Sequence, residues 1–385
     1  MKRIYFDNAA TTETDEKVLD AMMPYLKDNF GNASSNHSFG KSAKVLLEDA
    51  RDTIAGFIGA SPKDLFFTGG GTESNNFAIK GTALRFLGTG KDHIITSSIE
   101  HLAVIDTVKY LEGKFNLRVT FIKPDTYGIL SPETIRSFYT PETFLVSVMH
   151  SNNETGIIND IKKIANDAAE MNIIVHTDSV QSIGKTYFNV KDLNVNFATL
   201  SAHKIYGPKG ISALYIKDKT PVDKFIHGGK QERDMRGGTE NIASIAGFKK
   251  AVEILKEEIE KDILHYSSLK KYLVSELKNH FGDAVIFNSA EGENSLPNIV
   301  NISFDKSKIN FDEEMLLIQL DLKGIAVSGG SACTSGTHQP SHVLLELGRD
   351  RSTALGSLRI SFGRKNTLDE TDLFLKGLKE TVREK

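Results

Sequence analysis

Apolar residues between positions 15 and 216 follow two alternating patterns, one typical of helices and one typical of buried strands. From Ala43 to Ile58 they recur every three or four residues, as on one face of an amphipathic helix. Seven other segments are mostly continuous apolar runs, which is typical of strands buried on both faces. These runs span residues 65–68, 93–98, 117–122, 143–149, 173–177, 196–200 and 211–216. The alternation predicts an α/β fold, with a mainly parallel seven-stranded sheet flanked by helices.

The pattern changes after Asn241, where a long helical stretch runs to about residue 280. Beyond it, short apolar runs alternate with helical segments; the runs lie near residues 284–287, 299–304 and 325–327. Thr367 and Glu370 form a capping box that opens a last helix. We therefore expect a large domain over residues 14–258 and a smaller α+β domain over residues 1–13 and 259–385.

The chain has 385 residues, with 47 basic and 50 acidic side chains and a formal net charge of −3. This near-neutral balance gives no general attraction to nucleic acids or anionic membranes, so neither is expected as a direct partner. No apolar run approaches the ~18 residues of a membrane helix. The single cysteine, Cys333, excludes a disulfide within the chain and a multi-cysteine metal site made by this chain alone. We expect a soluble cytoplasmic protein without a metal site.

A glycine turn follows the first predicted strand of the sheet. Residues 69–75, Gly-Gly-Gly-Thr-Glu-Ser-Asn, open a helix and offer backbone N–H groups to a phosphate. A turn that merely connects strand to helix explains this segment equally well. The absence of a Gly-Lys-Ser or Gly-Lys-Thr ending argues against a nucleoside triphosphate loop.

Two charged residues also stand at strand ends, where open α/β sheets bind their ligands. Asp178 either caps a helix or pairs with a buried cation such as a protonated pyridine nitrogen. Lysines are usually solvated surface residues, and this is the default interpretation of Lys204 in isolation. Between His203 and an aromatic residue, however, desolvation favours its neutral amine, a nucleophile that can form a Schiff base. A glycine turn for phosphate, an Asp for the pyridinium and a Lys for the aldehyde are the three contacts that pyridoxal phosphate needs.

His101 and Gln181 extend this set of candidate residues. His101 follows the run that ends at residue 98, where its imidazole can stack on a cofactor ring or move protons. The alternative is a buried histidine whose hydrogen bonds are all made within the core. Gln181 lies one turn beyond Asp178 and can donate a hydrogen bond to a ring hydroxyl.

Six segments, in order along the chain, carry a resemblance to a known family. They are residues 7–12 (Asp-Asn-Ala-Ala-Thr-Thr), 71–76 (Gly-Thr-Glu-Ser-Asn-Asn), 152–156 (Asn-Asn-Glu-Thr-Gly), 201–210 (Ser-Ala-His-Lys-Ile-Tyr-Gly-Pro-Lys-Gly), 231–241 (Gln-Glu-Arg to Gly-Thr-Glu-Asn) and 331–335 (Ser-Ala-Cys-Thr-Ser). Together they resemble the cysteine desulfurases of the NifS and IscS type, in the class V aminotransferase superfamily with the type I pyridoxal phosphate fold. The resemblance extends from Asp7 to about Arg364. It implies a homodimeric pyridoxal phosphate enzyme.

The resemblance implies a role for each matching residue. Lys204 carries the cofactor, Asp178 holds its pyridine nitrogen and His101 stacks on its ring. The implied cofactor-binding set is Gly71, Thr72, His101, Asn153, Asp178, Gln181, Ser201, His203, Lys204 and Thr239, with Thr239 reaching the phosphate from the neighbouring subunit. Asn153 and Arg359 hold the substrate carboxylate. An exposed Arg359 on a solvated strand face is the weaker alternative.

Cys333 lies among small residues in a segment, 328–340, that is expected to form the catalytic loop. A free cysteine is more often a small buried hydrophobe, but a nucleophilic thiol needs an exposed, flexible tether, and a single cysteine within a loop rich in Gly and Ser favours the latter. The implied reaction converts L-cysteine to L-alanine and leaves the sulfur on Cys333 as a persulfide. Lys204 and His101 are the other catalytic residues. An acceptor protein then takes the sulfur, for iron–sulfur cluster assembly, tRNA thiolation or another thio-cofactor.

Other functions stay open at this point. A selenocysteine lyase or an aminotransferase of the same superfamily would use the same cofactor, and an aminotransferase would not require Cys333. A nucleotide-binding module built on residues 69–72 is the alternative from a different class. The chain also departs from the family pattern in turns, with Ala33 in place of Pro, Gly69 in place of Ser and Asp234 in place of Gly.

Overall fold

Strands and helices alternate through the first 216 residues of the protein. The computed structural model describes residues 3–289, 292, 294–329 and 339–384. Its strands are β1 Ile4–Tyr5, β2 Leu65–Thr68, β3 His93–Ser97, β4 Arg118–Ile122, β5 Thr143–Ser147, β6 Ile174–Asp178, β7 Phe197–Ser201, β8 Ser212–Ile216, β9 Val285–Phe287, β10 Ile299–Phe304, β11 Ile309–Asn310, β12 Ile325–Ala326, β13 Leu358–Ser361 and β14 Arg383–Glu384. Its α-helices are α1 Glu16–Lys27, α2 Ser38–Phe57, α3 Gly71–Phe86, α4 Leu102–Phe115, α5 Pro132–Ser137, α6 Ile161–Ala169, α7 Val190–Leu193, α8 Ile242–Phe281, α9 Leu316–Leu322, α10 His342–Glu346, α11 Arg351–Leu355 and α12 Leu368–Thr381. Within those described ranges, no helix has both the length and the hydrophobicity of a membrane span.

Seven strands form one sheet in the order β2-β8-β7-β6-β5-β3-β4. β8 runs antiparallel to both of its neighbours, and the other pairs are parallel. All seven predicted runs are strands of this sheet, with ends within two residues of the prediction. Six of them are buried along their whole length, and β4, at the edge, is partly exposed. The prediction of an α/β fold with a mainly parallel seven-stranded sheet is confirmed.

Helices cover both faces of the sheet because neighbouring residues of each strand point to opposite sides. Phe67 of β2 joins the core under α2 and α8, whereas Phe66 joins the core under α3 and α4. α2 buries the apolar positions whose spacing predicted it, namely Ala43, Leu46, Leu47, Ala50 and Ile54. Burying a single leucine or isoleucine side chain contributes about 1.5–3 kcal/mol, so these faces fix the helices on the sheet.

A further core forms around the antiparallel sheet β13-β10-β9, with α9, α12 and the second half of α8. β1 pairs in parallel with β12, which brings Ile4 and Phe6 into this core. α12 begins after Thr367, whose hydroxyl accepts the Glu370 N–H at 3.2 Å, as the capping box predicts. The 40-residue α8 contributes side chains to both cores, so a domain boundary near residue 258 stays a prediction.

Candidate active site

A cleft of about 250 Å³ opens at the carboxyl ends of β6 and β7, beside the start of α3. Ten of the twelve site residues predicted from the sequence line it: Gly71, Thr72, His101, Asn153, Asp178, Gln181, Ser201, His203, Lys204 and Arg359. The fold therefore brings residues from both cores to one site. Thr239 lines a different cavity, and Cys333 lies outside the described residues.

Lys204 ends a short 3-10 turn directly after β7. Its Nζ donates to the backbone carbonyls of Ala9 and Ala10, at 2.6 and 2.7 Å. Two residues later Tyr206 has a φ of +65°, in the left-handed region, so the chain turns sharply after the lysine. The segment that follows β1 thus forms one wall of the cleft. Sequence patterns could not reveal these acceptors, because a backbone carbonyl carries no residue-type signal.

Asp178 is the last residue of β6, and its carboxylate lines the cleft. Oδ1 accepts the Val180 N–H at 3.1 Å, and Oδ2 accepts Nδ2 of Asn75 at 2.7 Å. Asp178 therefore both makes a local turn contact and lines the cleft. Asn75, on α3, also lines the cleft and is a contact that sequence analysis missed, although it lies in a segment that carries the family resemblance.

The start of α3 and the turn after β7 supply donors suited to a phosphate. Gly70, at the N-cap of α3, has no side chain to cap the first N–H groups, which leaves them for another acceptor. Ser201 and His203 line the same cleft. Burial and, next, the charge of Lys204 lower the pKa of His203 to about 4. Its ring is therefore neutral at pH 7 and can donate from one nitrogen.

His101 caps α4 and also lines the cleft. Its Nδ1 accepts the Ala103 N–H at 3.0 Å, so the proton of the neutral ring belongs on Nε2. Glu100, which sequence analysis left without a role, is completely buried beside it in the chain. The Glu100 carboxyl accepts from the Ser97 hydroxyl and the Met149 N–H. Burial raises the pKa of Glu100 to about 8, so this side chain is a neutral acid at pH 7.

Gln181 is expected from the sequence to donate to a ring hydroxyl, but the structure instead presents its unpaired acceptor at the cleft. Its Nε2 donates to the Ala9 carbonyl at 2.8 Å, and its buried Oε1 has no partner among the described residues. Leaving a buried polar atom unpaired costs about 1–3 kcal/mol. A ligand that carries a hydroxyl donor would remove this cost.

Arg359, on β13, reaches the cleft from the second core and is only 3% exposed. Its Nη2 pairs with Asp7 Oδ1 at 2.8 Å, and its Nη1 donates to the Asn153 backbone carbonyl at 2.9 Å. The alternative of an exposed arginine on a solvated face is therefore wrong. Asp7 therefore contacts a residue of the cleft, although the sequence shows it only as part of the segment 7–12.

The segment 231–241 lies beside the glycine turn. Arg236 pairs with Glu73 of α3 at 2.9 Å, and Thr239 lines a cavity of about 200 Å³ next to Gly69. Asp234 has a φ of +67°, so the departure from the family's glycine falls on left-handed backbone that favours glycine. The contribution of Thr239 to the phosphate site of a neighbouring subunit stays a prediction.

Comparison with known proteins shows which family the chain belongs to. The aminotransferase class-V family matches residues 4–374. The chain is 41% identical over 383 residues to the cysteine desulfurase IscS of Dictyoglomus turgidum, a match that covers 99% of this chain and 95% of that protein. It is 42% identical over 384 residues to the cysteine desulfurase IscS of Clostridium botulinum strain Hall, covering 100% and 95%. The chain belongs to the cysteine desulfurases of the class-V aminotransferase family.

A solved structure supports the same membership. A NifS-like protein superposes on this cysteine desulfurase with a TM-score of 0.90, at 39% identity and with 98% of each chain covered. The expected type I pyridoxal phosphate fold is thereby confirmed. The class-V aminotransferases are, as a family, pyridoxal phosphate enzymes.

Proposed function

We propose that this cysteine desulfurase binds pyridoxal phosphate in the cleft, converts L-cysteine to L-alanine and transfers the sulfur to Cys333 as a persulfide. The observation that carries the proposal is the meeting of Lys204, Asp178 and the start of α3 in one cleft. An amine, a carboxylate and a set of N–H donors match in kind the aldehyde, the pyridine nitrogen and the phosphate of the cofactor.

The residues present fit this cofactor. Lys204 would hold it covalently, Asp178 would pair with the protonated ring nitrogen, and the unpaired Oε1 of Gln181 could accept from the ring hydroxyl. His101 would stack on the ring. The phosphate would be held by Gly71, Thr72, Ser201 and His203. When bound, pyridoxal phosphate supplies an electron sink for the negative charge that develops at the substrate Cα.

Arg359 and Lys204 would act directly on the substrate. The planar guanidinium of Arg359 matches a carboxylate in two parallel hydrogen bonds, and the Asn153 side chain lines the cleft beside it. Lys204 would remove the Cα proton, because its amine stands in the cleft and the Ala9 and Ala10 carbonyls hold it there.

Cys333 would take the sulfur. Its thiolate attacks the substrate sulfur, an S–S bond forms as the substrate Cβ–S bond breaks, and the electron pair of the broken bond stays with the carbon fragment. That fragment takes up one proton at Cβ, regains one at Cα and leaves as L-alanine. Because the chain has one cysteine, the persulfide can form at a single position.

The remaining parts of the proposal concern assembly and partners. The chain forms a cytoplasmic homodimer in which Thr239 of each copy completes the phosphate site of the other. The persulfide passes to an acceptor protein of iron–sulfur cluster assembly or of a thiolation pathway. The support for this is relatedness to proteins named IscS cysteine desulfurases. Analytical ultracentrifugation tests the dimer, and a pull-down with the persulfide form tests the acceptor.

Mass spectrometry of the Cys333 peptide tests the reaction itself. After the loaded protein is incubated with L-cysteine, this peptide should gain the mass of one sulfur atom, and L-alanine should be released. Cys333→Ser should bind cysteine but release no alanine. Lys204→Ala should lose the borohydride-stable link to the cofactor. Release of alanine and sulfide by Cys333→Ser at the normal rate would replace this mechanism with a simple lyase route, and an oxo-acid product would indicate an aminotransferase.

A further inference from the structure

Lys185 is a second lysine amine at the back of the site, and the proposed reaction does not use it. It follows Gln181 by one turn, is 6% exposed, and donates from Nζ to the backbone carbonyl of Lys204 at 3.2 Å. Within the part of the chain that the structure describes, no carboxylate lies within 4 Å of this Nζ. A buried ammonium without an ion-pair partner is costly, so its retention needs a reason.

The groups around Lys185 leave its charge uncompensated. Lys185 and Lys204 border a small internal cavity together with Asp262, Tyr206 and Tyr266. Asp262, the one carboxylate in this set, pairs with Arg364 at 2.7 Å. The two tyrosine hydroxyls bond to each other at 2.9 Å. The charged groups that act on Lys185 are therefore Lys204, Asp262 and Arg364, two of them cationic.

We propose that Lys185 is a positioning residue for Lys204, which it holds through the Lys204 carbonyl while setting a second cationic amine behind the site. The hydrogen bond joins the turn that carries Gln181 to the turn that carries Lys204. The proposal rests on the proposed function in one respect, namely that Lys204 is the lysine that reacts with the cofactor.

The chemical consequence is that each amine, when protonated, disfavours protonation of the other. Burial first, and then the charge of Lys204, lower the pKa of Lys185 to about 7. Electrostatic coupling is reciprocal, so a charged Lys185 disfavours the ammonium form of Lys204 to the same extent. The neutral amine is the form that attacks an aldehyde or accepts a proton. While it is charged, Lys185 would thus favour the reactive, neutral form of Lys204.

Competitive acetylation of the cofactor-free full chain tests this directly. The extent of acetylation of each lysine, read by mass spectrometry across a pH series, gives the pH at which its amine becomes neutral. Lys185→Met removes the charge and keeps the apolar length, so the Lys204 midpoint should rise, but only slightly, because wild-type Lys185 itself loses its proton above about pH 7. Lys185→Arg keeps a permanent charge, so the midpoint should fall below the wild-type value. The expected order of midpoints is Met above Lys above Arg.

Lys217→Met is the matched control, because Lys217 is exposed and bonds to Asn194 far from the cleft. It should leave the Lys204 midpoint unchanged, and the other lysines serve as internal references in each digest. Far-UV circular dichroism verifies that each variant is folded. Equal Lys204 midpoints in folded Lys185→Met and Lys185→Arg would overturn the proposal. Borohydride fixation of pyridoxal phosphate on a lysine other than Lys204 would instead overturn the proposed function.

Discussion

Arg359 donates through Nη1 to the backbone carbonyl of Asn153 at 2.9 Å, so the two residues expected to bind the substrate carboxylate are in direct contact. The same guanidinium pairs through Nη2 with Asp7 at 2.8 Å. β13 and the loop after β5 are therefore connected at the cleft by one side chain. A substrate carboxylate that approaches Arg359 competes with Asp7 for its donors.

Arg359→Lys should raise KM for L-cysteine by about tenfold or more and change kcat less. A lysine ammonium cannot reproduce the two parallel hydrogen bonds of a guanidinium, and charge-assisted hydrogen bonds contribute about 1.5–3 kcal/mol each. Initial rates of alanine formation across a cysteine series measure both constants. Arg118→Lys, which alters an exposed ion pair with Asp92, is the control. An unchanged KM in Arg359→Lys would contradict the assignment.

Asp178→Ala should lower kcat by about 100-fold to 1,000-fold, as removal of other preorganised polar groups does. Asn75→Ala should have the same kind of effect but a smaller one, because Asp178 keeps its contact with the Val180 N–H. Asn76→Ala removes the next amide along α3, which bonds to Thr72 within the helix, and should be nearly silent. Turnover and the visible absorption of the loaded protein give the comparison. Equal losses in Asn75→Ala and Asn76→Ala would argue against a role for Asn75.

Glu100→Gln should make stability less dependent on pH. The pKa of Glu100 is raised from 4.5 to about 8 in the folded protein. Between these values the folded state holds a proton that the unfolded state has lost. The free energy of unfolding of the wild type therefore falls as pH rises through this window, by up to about 1.4 kcal/mol per unit.

Glutamine has no proton to lose. The free energy of unfolding of Glu100→Gln, relative to that of the wild type, should therefore increase from the acidic to the alkaline end of that window. Urea unfolding at both ends measures the difference. Glu112→Gln, at an exposed position of α4, should show no such trend. If the difference in free energy of unfolding between wild type and Glu100→Gln is the same at both ends, Glu100 is ionised in the folded protein.

Glu232→Ala should destabilise the protein by about 3–5 kcal/mol, because it leaves the buried charge of Arg51 with only the half-exposed Glu48 as a partner, at 3.5 Å. Arg51 is 2% exposed and donates to both carboxylate oxygens of Glu232, at 2.8 and 2.9 Å. The double variant Arg51→Met with Glu232→Leu should recover much of the loss, although the Phe67 N–H also loses its acceptor. Urea unfolding measures both variants, and Asp218→Ala in the exposed pair with Lys63 is the control. A double variant no more stable than Glu232→Ala would show that the pair matters through geometry and not through charge.

The sheet could be predicted because strands buried on both faces are continuous apolar runs, and β2 and β10 were anticipated residue for residue. The cleft could be anticipated because polar side chains follow β6 and β7, where such sheets bind ligands. The acceptors of Lys204 could not be predicted, since they are backbone carbonyl oxygens of two alanines. The predicted domain boundary lies inside α8, where one uninterrupted helix gives no change of composition by which to place it.

The pairing of β1 with β12 sets the time at which the site can be completed. Ile4 lies beside Ile325, so the stretch that contains Ala9 and Ala10 is anchored by residues made more than three hundred positions later. A nascent chain on the ribosome holds Lys204 long before it holds β12. The wall of the cleft that carries the two carbonyl partners of the lysine is therefore fully anchored late, after most of the polypeptide has been synthesised. Completion of the cleft in its final geometry is then a post-translational event, and a prematurely terminated product carries an incomplete cleft.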